Sequence, residues 1–158
     1  MKRIFLLFLI FIFLAGVAFF HFFRPTKKGS EVNIPQKLII ENVAFTVEIA
    51  QTPKEREKGL SGREELCPTC GMLFVFPKSD YYHFWMKETL IPLDIIWLDE
   101  NWQVVDFVAF AQPQGKRKLE ELPVYSPQKP ARYVLELPGG TVEKIRNFKR
   151  GSVVSFEE

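Results

Sequence analysis

The stretch "FWMKETLIPLDIIWLD", Phe84 to Asp99, decides how this chain is read. Its second half, "PLDIIWLD", is an apolar run of strand length, rich in β-branched and aromatic residues. Its first half alternates. If Phe84 to Glu88 is extended, Trp85 and Lys87 share one face, and Phe84, Met86 and Glu88 share the other. Pro92 has no amide proton for a sheet ladder, so Thr89 to Pro92 is expected to turn the chain. Asp94 then begins a strand whose two faces are both apolar. A carboxylate there is costly unless it is hydrogen-bonded or paired.

Outward from this stretch the pattern stays strand-like. "LDENWQVVDF" reads as a hairpin with Asp99, Glu100 and Asn101 at its tip, and "GMLFVFP" and "YYHFWMK" read as two strands before it. "FTVEIA" alternates, with Phe45, Val47 and Ile49 on one face. "ARYVLEL" and "GSVVSF" are further strands, and Arg132, Val134 and Glu136 are read as the polar, half-exposed side of the first. Ala111 to Lys129, rich in proline and charge, reads as a surface loop. Two helices are short. "TPKEREKGL" carries Thr52 as N-cap, Pro53 at the first helical position, Glu55 to complete a capping box and Gly59 to end it. "GGTVEKIRNF" is entered through glycines. The fold class expected is mainly β, a compact β-barrel or β-sandwich with two short helices.

One transmembrane helix is expected before it. Ile4 to Phe23 is apolar except for His21, and about 20 residues of helix span the hydrocarbon of a bilayer. A cleaved signal peptide is the competing reading, with Gly16-Val17-Ala18 as a small-residue site, but the phenylalanines continue beyond it. The organisation is therefore read as a membrane anchor over 1–27, a linker over 28–36 and an extracytoplasmic domain over 37–158. Five of the 21 basic residues precede Ser30 and no acidic one does, leaving 16 basic against 19 acidic, a net charge of −3. That balance argues against a nucleic-acid partner, which calls for a clustered basic face.

The segments "VEIAQTPKEREKGLSGRE", "GMLFVFP", "FWMKETLIPLDIIWLD" and "ARYVLELPGGTVEK", in this order, resemble the uncharacterised family called domain of unknown function 192. The resemblance covers about the last four-fifths of the chain. It implies a compact β-rich barrel or sandwich, often behind a signal or anchor, and implies no activity. The family motif commonly reads Asn where this chain has Glu88. A ligand contact at that position would then differ in preference. The "CPTC" stretch is not a hallmark of the family.

The chemistry-bearing residues gather around the opening stretch. Asp94 is read as structural, accepting backbone N–H groups at the turn and forming a polar cluster with Lys87 or Arg132. Trp85, Lys87, Glu88 and Arg132 are read as candidate ligand-binding residues, since pockets combine aromatic walls with a few convergent polar groups. A catalytic reading uses Glu88 and Asp94 as a carboxylate pair of the glycosidase kind. His83 is the one histidine after residue 30, which leaves a serine or cysteine hydrolase a single candidate base. Cys67 and Cys70 are half a zinc site, or a disulfide outside the cell, or a thiol-exchange pair without its usual strand–helix context. Met72, His83 and Met86 are soft ligands that a copper ion accepts, though core packing explains the methionines more simply. No metal or cofactor is assigned. The reading is a membrane-anchored extracytoplasmic binding or accessory module for a small molecule, a saccharide or an envelope protein. The alternatives are a carboxylate hydrolase acting on envelope saccharides, and a redox or metal-handling role for Cys67 and Cys70.

Overall fold

The computed structural model of the protein describes residues 36–115 and 117–157. The expected anchor and nearly all of the linker lie outside the described residues. No helix among the described residues is long and apolar enough to cross a membrane.

The domain is mainly β. Seven strands form one sheet: β1 (Lys37–Ile40), β2 (Val43–Ala50), β3 (Cys70–Asp80), β4 (Leu93–Leu98), β5 (Val104–Ala111), β6 (Ala131–Pro138) and β7 (Val154–Phe156). Their order across the sheet is β5-β4-β6-β3-β2-β1-β7. All neighbouring pairs are antiparallel except β2 with β3, which run parallel and are joined through α1 (Pro53–Lys58). The sheet curls into a half-barrel. At one end its two edges are bridged, Gln103 opposite Val153, with Val104 N–H donating to Ser152 O at 2.9 Å and Val154 N–H to Trp102 O at 2.9 Å.

Two apolar clusters follow from strand alternation. Every strand contributes to the first, which fills the curl with Leu38, Phe45, Val47, Leu73, Ile96, Leu98, Val104, Leu135, Leu137 and Val154. α2 (Thr141–Lys144) lies at the same side, with Val142 buried in that cluster. The second cluster lies on the opposite face of the central strands and contains Met72, Phe74, Leu93, Ile95, Trp97 and Val134. β4 feeds both and is buried at all six positions, which is why "LDIIWL" is continuous rather than alternating.

Most elements stand where the sequence puts them, and three readings change. "YYHFWMK" is not a strand. Among the described residues its only ladder contact is the isolated bridge of Phe84 to Tyr125. β3 is paired on both sides by β2 and β6, and β4 by β5 and β6, so no central edge is open to it. It lies instead across the outer face, where it buries Met86 and half-buries Tyr82 and Phe84. Trp85 and Lys87 point outward, so the local alternation is kept without the ladder. The loop after β5 is more ordered than its composition suggests, carrying a 3-10 turn at Leu119–Glu121 and the bridging Tyr125. Finally, Glu136 is not on a solvated face. It is 5% exposed.

Candidate functional site

Three carboxylates are buried in the described domain: Asp94, Asp106 and Glu136. How each is satisfied separates scaffold from site.

Asp94 is fully buried at the start of β4. The β4–β5 register shifts there: Leu93 opposes Ala111 and Ile95 opposes Val108, so Ala109 and Phe110 face one residue across a bulge. Phe110 takes a left-handed φ of 56°, and its N–H donates to Asp94 Oδ1 at 2.7 Å. The same oxygen accepts Gly140 N–H at 2.9 Å, and Oδ2 accepts Val142 N–H at 2.7 Å. Asp94 thus ties a bulge to the first turn of α2, where unpaired helix amides need an acceptor. Gly139 allows the approach, since a Cβ there would stand 2.8 Å from Pro92 Cβ. Neither Lys87 nor Arg132 forms a salt bridge with Asp94; its charge is met by backbone amides instead.

Asp106 on β5 is equally well provided. Burial alone would raise its carboxyl, but hydrogen bonds from Arg150, Gln128 and Phe107 outweigh burial and hold it below the usual range. The donors are Phe107 N–H, Gln128 N–H and both Nε and Nη2 of Arg150, at 2.6 to 2.9 Å.

Glu136 has none of this. It stands in the middle of β6, between Met72 of β3 and Ile95 of β4, on the outer face. Its carboxyl has no hydrogen-bond or ion-pair partner among the described residues, and burial pushes it up to about 8. Two loops meet beside this face. Ser61 Oγ donates to Lys87 O at 2.9 Å, and Gly62 N–H donates to Glu88 O at 2.9 Å. Leu60 from the first loop and Met86 from the second are buried in the outer cluster. One strand beyond Met72, Glu48 is held by a two-pronged pair with Arg63 at 2.5 and 2.6 Å.

The residues singled out in the sequence fall into two groups. Trp85, Lys87 and Glu88 sit together on the outer loop, all exposed. Glu88 has φ 53°, a left-handed conformation that Asn accepts more readily than Glu. Backbone geometry therefore accounts for a preference for Asn at this position without a ligand. Arg132 lies on β6, four residues from Glu136 on the same face. Cys67 and Cys70 are joined by a disulfide at the entrance to β3. His83 is exposed and shares a hydrogen bond of 2.7 Å with Ser126, whereas Met86 is 1% exposed. No group of three or more His, Cys, Asp or Glu suited to a metal occurs among the described residues. Glu136 is the site residue that the sequence reading missed. Its signal was a carboxylate flanked by leucines in "VLEL", the same pattern that marked Asp94.

Two solved structures share this fold. A proposed transcription regulator from Sinorhizobium meliloti 1021 is 30% identical, with a TM-score of 0.67 over 76% of this chain and 90% of that one. A protein of unknown function from Novosphingobium aromaticivorans DSM 12444 is 28% identical, with a TM-score of 0.68 over 84% of this chain and 100% of that one. No curated protein matches the chain. The family profile DUF192, described as "Uncharacterized ACR", matches residues 36–156, and the chain belongs to that family.

Proposed function

We propose that this domain is a binding module that receives a small, largely apolar ligand against Glu136 on the outer face of β6. The observation that carries the reading is the unequal treatment of three buried carboxylates. Asp94 has three hydrogen-bond donors and Asp106 has four, whereas Glu136 has none. Glu136 is 5% exposed, and its carboxyl oxygens keep a trace of solvent contact, so a ligand can reach them. A fold that satisfies two such groups so fully has a use for the third. Raised to about 8 by burial, Glu136 is mainly protonated at neutral pH. It then offers an O–H donor in an apolar surround of Met72 and Ile95. The chemistry suits a ligand with a carbonyl or ether acceptor on an apolar body.

The hydrolase reading has less support. Asp94 has both oxygens engaged and no exposed surface, so it is not free to act as nucleophile or base. The role named for the Sinorhizobium relative would call for a basic surface, and the charge balance after Ser30 is acidic. We place the domain outside the cell, at the membrane, on the strength of the apolar segment Ile4–Phe23. Membrane fractionation with N-terminal sequencing checks this; a mature chain beginning near Phe19 would refute the anchor.

The binding reading is tested by a thermal-shift screen of small neutral compounds against the wild type and Glu136→Leu. Compounds at this site raise the melting temperature of the wild type by mass action and lose that effect in the variant. Stabilisation that persists unchanged in Glu136→Leu would locate binding elsewhere.

A further inference from the structure

We propose that Arg132 forms a separate oxyanion site, in a gap of the sheet on the far side of Phe84 from Glu136. The gap is a feature of register. β3 and β6 pair from Met72 opposite Glu136 to Val75 opposite Tyr133, and the next pair is Asp80 opposite Ala131. Phe76, Pro77, Lys78 and Ser79 therefore face Arg132 alone, and β3 bows away from its partner.

Arg132 stands in this opening with no hydrogen-bond or ion-pair partner; its guanidinium lies 6.0 Å from the centre of the Tyr133 ring. Its Nε is buried and has no acceptor, and none of its other guanidinium donors makes a hydrogen bond or ion pair among the described residues. A guanidinium stays charged at any physiological pH, and a buried, unpaired donor of this kind is among the costlier defects a fold can carry. The other charged groups nearby are already committed. Arg56 donates to the carbonyls of Gln51 and Val75 and lies over the Phe76 ring at 5.1 Å. Lys78 pairs with Asp80 at 2.9 Å, and Asp80 also accepts Tyr81 N–H. Phe76 and Tyr82 stack at 3.5 Å between ring centroids, which makes a rigid wall beside the gap. Arg132 is set apart by having a buried nitrogen, Nε, with no acceptor.

A carboxylate or a phosphoryl group supplies what is missing. It brings a counter-charge and two acceptor oxygens spaced for the guanidinium fork. Arg132 is only partly buried as a residue, so an anion can reach it from solvent. This site is distinct from the one at Glu136. Val134 lies between them and is fully buried, with Phe84 packed edge-on against its neighbours Phe74 and Trp97. Four residues of strand put the two side chains roughly 13 Å apart.

The test uses the full-length protein in detergent micelles. Inorganic phosphate and acetate are titrated against chloride at equal ionic strength. The readout is the Arg132 Nε–Hε resonance, assigned by its loss in Arg132→Lys, together with the melting temperature. We expect that resonance to move along a saturable curve. We also expect phosphate or acetate to raise the melting temperature of the wild type and not that of Arg132→Gln. Response to phosphate alone would mark a phosphoryl group; response to both would mark a carboxylate site as well. A linear drift equal to that in chloride overturns the proposal, as does an anion effect retained in Arg132→Gln. The wild-type resonance decides the matter even where Arg132→Gln does not fold.

Discussion

Asp94 and Val142 are 48 residues apart in sequence, yet the Asp94 carboxylate accepts the Val142 amide at 2.7 Å. Through that contact β4 fixes the start of α2, and through Phe110 it fixes the bulge in β5. Asp94→Asn exchanges one carboxylate oxygen for an NH2 group that faces amide donors. A loss of about 1–3 kcal/mol is expected for each donor left unmatched. Urea unfolding of the variant measures it, and an unchanged midpoint would remove Asp94 from the scaffold.

Glu136 makes stability depend on pH. Its folded carboxyl, at about 8, lies above its ordinary value of 4.5, so between these values the folded state holds a proton that the unfolded state has released. The contribution is fully present below about 4.5 and is lost as pH rises toward 8. The slope is on the order of 1 kcal/mol per pH unit. Glu136→Gln should flatten it, which denaturant titrations at pH 5, 6.5 and 8 will reveal. Parallel slopes in both proteins would count against a buried, proton-holding carboxyl.

The local parts of this fold were legible in the sequence. The capping box of α1 needs only Thr52 and Glu55, three residues apart, and both of its hydrogen bonds form. The strand runs of β2, β4 and β6 announced themselves by alternation or by continuous apolar character. What stayed hidden depends on distant partners. Tyr81 to Lys87 looks like a strand because its apolar residues alternate, but Trp97 Nε1 donates to Tyr82 O and Phe84 bridges Tyr125, which lays it across the sheet. Glu136 looked solvated for the same reason. Alternation places it on a polar side, and only the covering loops make that side an interior.

Glu88 occupies left-handed backbone, where a branched or long side chain is disfavoured by roughly 1–2 kcal/mol. Glu88→Asn should recover part of that and raise stability by about 0.5–1 kcal/mol. Thermal unfolding of the variant checks the sign. A clear loss of stability would mean that the Glu88 side chain makes a contact the fold depends on.

Cys67 and Cys70 close a very short loop, so their disulfide removes little freedom from the unfolded chain. Replacing both with Ser should cost less than about 2 kcal/mol and leave the fold intact, as judged by circular dichroism and denaturant midpoint. Failure of the double variant to fold would give this short link a structural weight that loop entropy does not explain.

Gly71 lets β3 and β6 approach closely. A Cβ there would stand 2.6 Å from the Glu136 carbonyl oxygen and 2.7 Å from a Leu137 methyl group. Gly71→Ala should therefore destabilise by about 1–3 kcal/mol through overpacking. Full stability in that variant would show that the two strands can part without loss.

Glu136 can serve as the binding donor only as a buried, protonated acid without a protein partner. The direct measurement is a pH titration of its side-chain carboxyl carbon by NMR, assigned by its disappearance in Glu136→Gln. A midpoint near 8 is expected. A midpoint in the ordinary carboxylate range, near 4.3, would contradict it.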